Sequence, residues 1–184
     1  MSPHEVAARV VPELVRRGLT VATAESLTGG LVCAALTSVP GASAVVRGGV
    51  VAYASDVKAS VLGVDAEVLA ALGAVCAPVA EQLATGVGEV VGCDVGLSTT
   101  GVAGPDPADG QPVGTVFVGA AGPWGILVEQ HALTGDREQV RAASVDAVLT
   151  LLERGLRNLR DAVGAGGYGG SQHEPADDER EEAP

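Results

Sequence analysis

Five short β-branched runs alternate with longer helix-patterned segments along this chain, and that alternation restricts it to helices packed on the faces of a sheet. The runs are TVATAES (20–26), GGVVAY (48–53), DVGLSTTG (94–101), TVFVGAAG (115–122) and ILVEQHAL (126–133). The last two flank Gly122-Pro123-Trp124-Gly125, which reads as a tight hairpin and so as an antiparallel pair. The expected fold is therefore α/β, a layered sandwich with a mixed, mainly parallel sheet flanked by helices and one antiparallel hairpin. With 47% hydrophobic residues but only 2% aromatics, the core must be built from Val, Leu and Ala. Such Val-rich runs suit strands covered by helices on both sides.

The helical segments carry their own start and stop signals. Ser2 and Glu5 form a capping box with Pro3 at the first helical position. Val6, Val10, Leu14 and Val15 then fall on one face, Pro12 should kink the helix, and Gly18 ends it. Apolar helices are expected after the turn Leu27–Gly30, after Asp65 as N-cap, and around Pro78. Asp136 should cap the last long helix, whose buried face carries Val140, Val145, Val148, Leu149 and Leu152. These 184 residues suit one domain, residues 1–163, followed by a disordered acidic tail, 164–184, with six acidic residues against one Arg.

Composition excludes several function classes. A net charge of −12 argues against nucleic-acid binding, which depends on neutralising phosphates with Lys and Arg. No apolar run reaches the ~20 residues a bilayer demands. Neither a basic n-region nor an apolar h-region opens the sequence, so a cytoplasmic location is expected. Cys33, Cys76 and Cys93 form no CxxC and read as small core residues. His4, His131 and His173 do not cluster, so no metal site is expected. The Trp124 hairpin offers an apolar contact or edge strand through which the chain could form a homo-oligomer.

Candidate chemistry concentrates in PGASAVVRGGVVAYASDVK, residues 40–58. GGVVAY reads as a buried strand and SDVKASVLG as a helix with Ser55 or Asp56 as N-cap. Lys58 then sits in the first helical turn, where the positive end of the helix dipole disfavours a cation and favours the neutral amine a general base needs. A surface lysine on an amphipathic helix satisfies the same pattern. A Ser-Lys pair would activate a hydroxyl without His, with Ser43 before the strand and Ser26 beside the TGG turn as the two candidate serines. At AESLTGG, Gly29 and Gly30 admit a close ligand approach, and free amides at the following helix start would suit a phosphate or oxyanion. At STTGVAGPDPADG the loop follows a strand end, where α/β sheets place ligands. Asp106 and Asp109 on that loop could hold Mg²⁺. GVGEVVG (86–92) lies inside a helical pattern and is discounted as a dinucleotide fingerprint.

Taken together, AESLTGG, PGASAVVRGGVVAY with Lys58, STTGVAGPDP…PVGTV and TGDREQVR resemble the nicotinamide-nucleotide amidohydrolase family, also known as the C-terminal domain of the competence-damage-inducible protein CinA. The four motifs fall in the family's order between residues of about 5 and 160. The resemblance implies hydrolysis of nicotinamide mononucleotide (NMN) to nicotinic acid mononucleotide and ammonia, without metal or redox cofactor. It also implies catalytic roles for Ser43, Tyr53 and Lys58, and a nucleotide site lined by Ser26, Thr28, Gly29, Gly30, Thr100, Gly101 and Gly104. The expected partner is thus a small nucleotide, not nucleic acid or membrane. The family's larger members carry an N-terminal domain with no counterpart here. Ala54-Ser55 stands where the family usually has Ser-Asn, and the loop after Asp106 is slightly short. A non-catalytic nucleotide-binding module, or an interaction role in competence or DNA damage, are the alternative readings.

Overall fold

The alternation of strand and helix patterns is realised as a five-stranded sheet with helices on both faces. The structure, a computed structural model, describes residues 3–165, with side chains described for residues 5–159. The elements run α1 (Pro3–Arg17), β1 (Val21–Glu25), α2 (Leu31–Thr37), a 3₁₀ turn (Ala42–Ala44), β2 (Val46–Val51), α3 (Ser55–Leu62), α4 (Ala66–Leu72), α5 (Ala77–Val91), β3 (Val95–Gly101), β4 (Thr115–Gly122), β5 (Gly125–Ala132) and α6 (Arg137–Ala165). Strand order is β2-β1-β3-β4-β5. β1 lies parallel to both β2 and β3, whereas β4 runs antiparallel to β3 and to β5. Four strands therefore point one way and β4 alone points the other. Gly122 pairs with Gly125, so the hairpin is a two-residue turn at Pro123-Trp124.

The first face of the sheet is covered by α1, α2 and α6. Val6, Val10 and Leu14 of α1, Leu36 of α2, and Val148, Leu149 and Leu152 of α6 pack there with Val21, Leu97 and Val118. On the other face α3, α4 and α5 bring Leu62, Leu69, Val79, Leu83 and Val87 onto Ala22, Ala24 and Val50. Close approach of α5 needs glycine in the sheet: a Cβ on Gly96 would lie 1.9 Å from the Ala84 carbonyl oxygen. Asp136 and Gln139 form a reciprocal capping box at the start of α6 (2.8 and 2.9 Å).

Four local expectations are corrected. Val15 is exposed, and Val11 is buried in its place because the helix presents Val6, Ala7, Val10, Val11 and Leu14 as one stripe. GGVVAY is not a buried strand: β2 is the sheet edge, its residues alternate between half-buried and exposed, and it ends at Val51. Ala54, not Ser55 or Asp56, is the N-cap of α3, and its side chain makes no capping bond. Finally, α6 continues through Gly164 and Ala165, past the boundary placed at Val163. The rest of the acidic tail, and the cap residue Ser2, lie outside the described residues.

Candidate active site

The connection from β1 leads to β2 on one side of the sheet, and the chain then crosses back past β1 to β3 on the other. The carboxyl ends of β1 and β3 thus form a topological switch point, the crevice where open α/β sheets hold ligands. A cavity of about 310 Å³ opens there, with Ser26, Tyr53, Lys58, Thr100, Asp109 and Arg137 in its lining. Its size suits one small-molecule moiety. Larger or similar hollows lie elsewhere, one between α1 and α6 (about 420 Å³), but its arginines Arg9, Arg16 and Arg157 are paired with Glu13 and Glu153.

Lys58 is the centre of this site. It is only 2% exposed, which removes the surface-lysine reading. Its Nζ donates to the backbone carbonyl of Tyr53 (3.1 Å). Burial pushes its pKa below the ordinary lysine value, and the Asp109 carboxylate partly offsets that shift. Loss of solvent is thus the main cause, beyond the helix-terminal position. Lys58 is also the only lysine in the 184 residues, the remaining basic residues being ten arginines. Arginine does not give up its proton in proteins, so the one releasable ε-ammonium sits where solvent is excluded.

Tyr53 is arranged differently from Lys58. Its side chain is 59% exposed, and its phenolic oxygen accepts from Arg137 (2.8 Å). The same guanidinium donates to the Gly104 carbonyl (2.7 Å), tying the start of α6 to the 102–114 loop at the cavity mouth. On that loop Asp109 takes a left-handed backbone conformation (φ 51°), and its Oδ2 accepts from the Ala74 N–H (2.9 Å).

The turn between β1 and α2 is not the open cradle expected. Glu25, buried at the end of β1, accepts from the backbone N–H groups of Gly30 (2.9 Å), Val32 (3.0 Å) and Cys33 (2.8 Å). Its carboxylate therefore already occupies the amides that would have met a phosphate or oxyanion. Arg141 clamps the turn from α6, donating to the carbonyls of Leu27 (2.9 Å) and Thr28 (2.8 Å). Thr28 and Thr99 share a buried hydroxyl bond (2.7 Å). By contrast, Ala54 and Ser55 line the cavity at the start of α3, where no side chain caps the first turn.

Of the residues expected at the site, Ser26, Tyr53, Lys58, Thr100 and Gly101 come together at the cavity. Thr28, Gly29, Gly30 and Gly104 are outside its lining: Thr28, Gly30 and Gly104 make the turn and loop bonds just described, and the Gly29 N–H donates to the Ser26 carbonyl (3.1 Å). Ser43 is also outside, exposed in the 3₁₀ turn that precedes β2. Val46 pairs with Val21 and Val51 with Glu25, so Ser43 stands at one end of β2 and Lys58 beyond the other. At ~3.3 Å per residue, that strand alone separates them by roughly 17 Å. Two serines share the cavity lining with Lys58: Ser55, exposed at the start of α3, and Ser26, nearly buried, with its N–H donating to the Thr99 carbonyl (3.0 Å). Sequence reasoning named Asp109 only as a metal-ligand candidate, met Arg137 and Arg141 only inside the TGDREQVR motif, and missed Glu25. A further signal, unused in the sequence reading, is that Lys58 is the single lysine of the 184 residues. Among the described residues no group of three or more His, Cys, Asp or Glu could hold a metal ion.

The fold and the site together define an α/β domain with a switch-point cavity whose lining includes a desolvated lysine and two serines. Comparison with known proteins places it more narrowly. The chain belongs to the CinA C-terminal domain family, whose model matches residues 3–156. It is 51% identical over 146 residues to a CinA-like protein of Frankia casuarinae, covering 79% of this chain and 34% of that one. A putative competence-damage inducible protein of Desulforamulus reducens is 43% identical over 144 residues, covering 78% and 35%. The chain thus spans about a third of the length of these curated relatives. Among solved structures, a competence-damaged protein (CinA) superfamily protein from Klebsiella pneumoniae superposes with a TM-score of 0.82 at 35% identity, covering 85% of this chain and 99% of that one. No described helix is long and apolar enough to cross a membrane.

Proposed function

We propose that this domain hydrolyses the carboxamide of a nicotinamide nucleotide, NMN, to the carboxylate and ammonia in the cytoplasm, with Lys58 as general base and Ser26 as nucleophile. The observation that carries the reading is the single lysine of the chain, buried at the switch-point cavity and biased towards its neutral form, in one lining with a serine. Neutral Lys58 takes the Ser26 hydroxyl proton as the oxygen attacks the carboxamide carbon. Ala54 and Ser55 line the cavity at the start of α3, where no side chain caps the first turn, and the amides there would serve the developing oxyanion. Ala54 stands where the family resemblance puts serine, and alanine leaves those amides unclaimed. The carbon–nitrogen bond then breaks, the proton on Lys58 passes to the leaving ammonia, and water, activated by the same amine, hydrolyses the ester. Tyr53 contributes its backbone carbonyl to hold Lys58, while its phenol and Arg137 frame the mouth. Self-association through the open edge of β2 or β5 completes the proposal, each being a terminal strand of the sheet.

The test is an ammonia-release assay on purified protein with NMN, wild type against Lys58→Ala. Turnover that depends on Lys58 supports the reading. NMN binding without ammonia release would make the chain a nucleotide-binding module instead.

A further inference from the structure

The loop that departs from the family pattern, shortened after Asp106, brings an acidic side chain into the cavity. Asp109 is the one carboxylate in the lining, which it shares with the one lysine. Its placement is specific. The backbone is left-handed at this residue, a conformation that Asp tolerates better than most side chains. Its Oδ2 is anchored to the Ala74 N–H at 2.9 Å, in the link between α4 and α5 that floors the cavity. Gly73 next to that anchor leaves the room: a Cβ there would lie 3.0 Å from the Asp109 Cβ.

We propose that Asp109 is a positioning residue that sets the charge state of Lys58 from the 102–114 loop, so that loop and base act as one unit. The other ionisable groups around Lys58 leave that role open to Asp109. Arg137, at the start of α6, is a cation and is engaged by Tyr53 and Gly104. The Tyr53 phenol, from the β2–α3 link, is mostly exposed and turned to Arg137. Asp56 lies on α3 itself, outside the cavity lining. Ser26, Thr100, Ala74 and Val75 bring no charge. A carboxylate in the same cavity as a desolvated amine stabilises its ammonium form, opposing the effect of burial. The loop therefore determines at what pH Lys58 becomes a base, and any movement that withdraws Asp109 favours proton release.

The inference rests on the proposed role of Lys58, but its test needs no turnover. Growth on lysine labelled with ¹³C at the ε position yields one side-chain signal per chain, because Lys58 is the only lysine. Its titration is followed in the full chain for wild type and Asp109→Asn, which keeps the shape and a carbonyl acceptor for Ala74. The expected result is a wild-type midpoint below the ordinary ~10.4 and a further fall in the variant. The acid limb of kcat/KM for ammonia release from NMN should move by the same amount, with little change in KM. Identical midpoints in the two proteins would overturn the inference even if NMN is deamidated. Conversely, a shifted midpoint in a protein that releases no ammonia would uphold it and sink the proposed activity alone. Asp109→Gly, which accepts the left-handed backbone without strain, replaces the Asn variant if that protein does not fold.

Discussion

Lys58 Nζ is hydrogen-bonded to the backbone carbonyl of Tyr53, five residues earlier, and not to its phenol. The amine is thus held by a group that no substitution at position 53 removes, while the phenol is committed to Arg137 at the mouth. Tyr53→Phe should therefore keep the acid limb of the pH–rate profile in place and retain turnover within about tenfold. KM, which reports on the mouth, should rise more than kcat falls. A thousandfold loss in kcat would instead make the phenol a proton carrier.

Ser26 and Ser43 are separable by mutation. Ser26→Ala should abolish ammonia release with NMN still bound, and Ser43→Ala should leave turnover near wild type. Both are read by the coupled ammonia assay with binding followed by calorimetry. The reverse pattern would mean that the reacting serine arrives from a second copy of the chain, since β2 keeps Ser43 away from its own Lys58.

Burial of an amine whose pKa it depresses has a predictable effect on stability. Below the folded pKa the chain must keep a charge in a dry site, and that cost is present in full. Between the folded value and the ordinary ~10.4 the unfolded state binds more protons, so Lys58's contribution to stability rises with pH, and above ~10.4 the cost is gone. Lys58→Met should accordingly melt at a higher temperature than wild type near neutrality. The difference should shrink as pH climbs towards 10, measured by thermal scans across that range. A constant difference would contradict the assignment.

Glu25 offers a test of the turn beside Ser26. Glu25→Gln replaces a charged acceptor of the Gly30, Val32 and Cys33 amides with a group that presents N–H of its own. Hydrogen bonds to charged groups contribute ~1.5–3 kcal/mol each, so a loss of about 2–3 kcal/mol in urea unfolding is expected. A loss under about 0.5 kcal/mol would show that the cap is dispensable.

Features set by local chemistry were legible in the sequence. The Gly122–Gly125 turn specified the β4–β5 hairpin, and the 3.6-residue spacing of Val140, Val145, Val148, Leu149 and Leu152 specified the inner face of α6. Features set by pairing partners were not. GGVVAY has the same β-branched content whether it is central or at an edge, and only strand order puts β2 at the rim. The capping of α2 by Glu25 was hidden because glycine turns before helices look alike whether their amides are free or claimed. The distance between Ser43 and Lys58 could have been read directly, because a strand between two residues places them at opposite sheet ends.

The carboxylate of Glu25 has one more consequence. By standing where many nucleotide folds seat an anion, it makes the amino end of α2 electrically full. In the proposed reaction the phosphate of the nucleotide is therefore expected away from that helix, at the rim where Arg137 joins Tyr53 and Gly104. The nicotinamide end, a pyridinium without negative charge, is then expected to enter first.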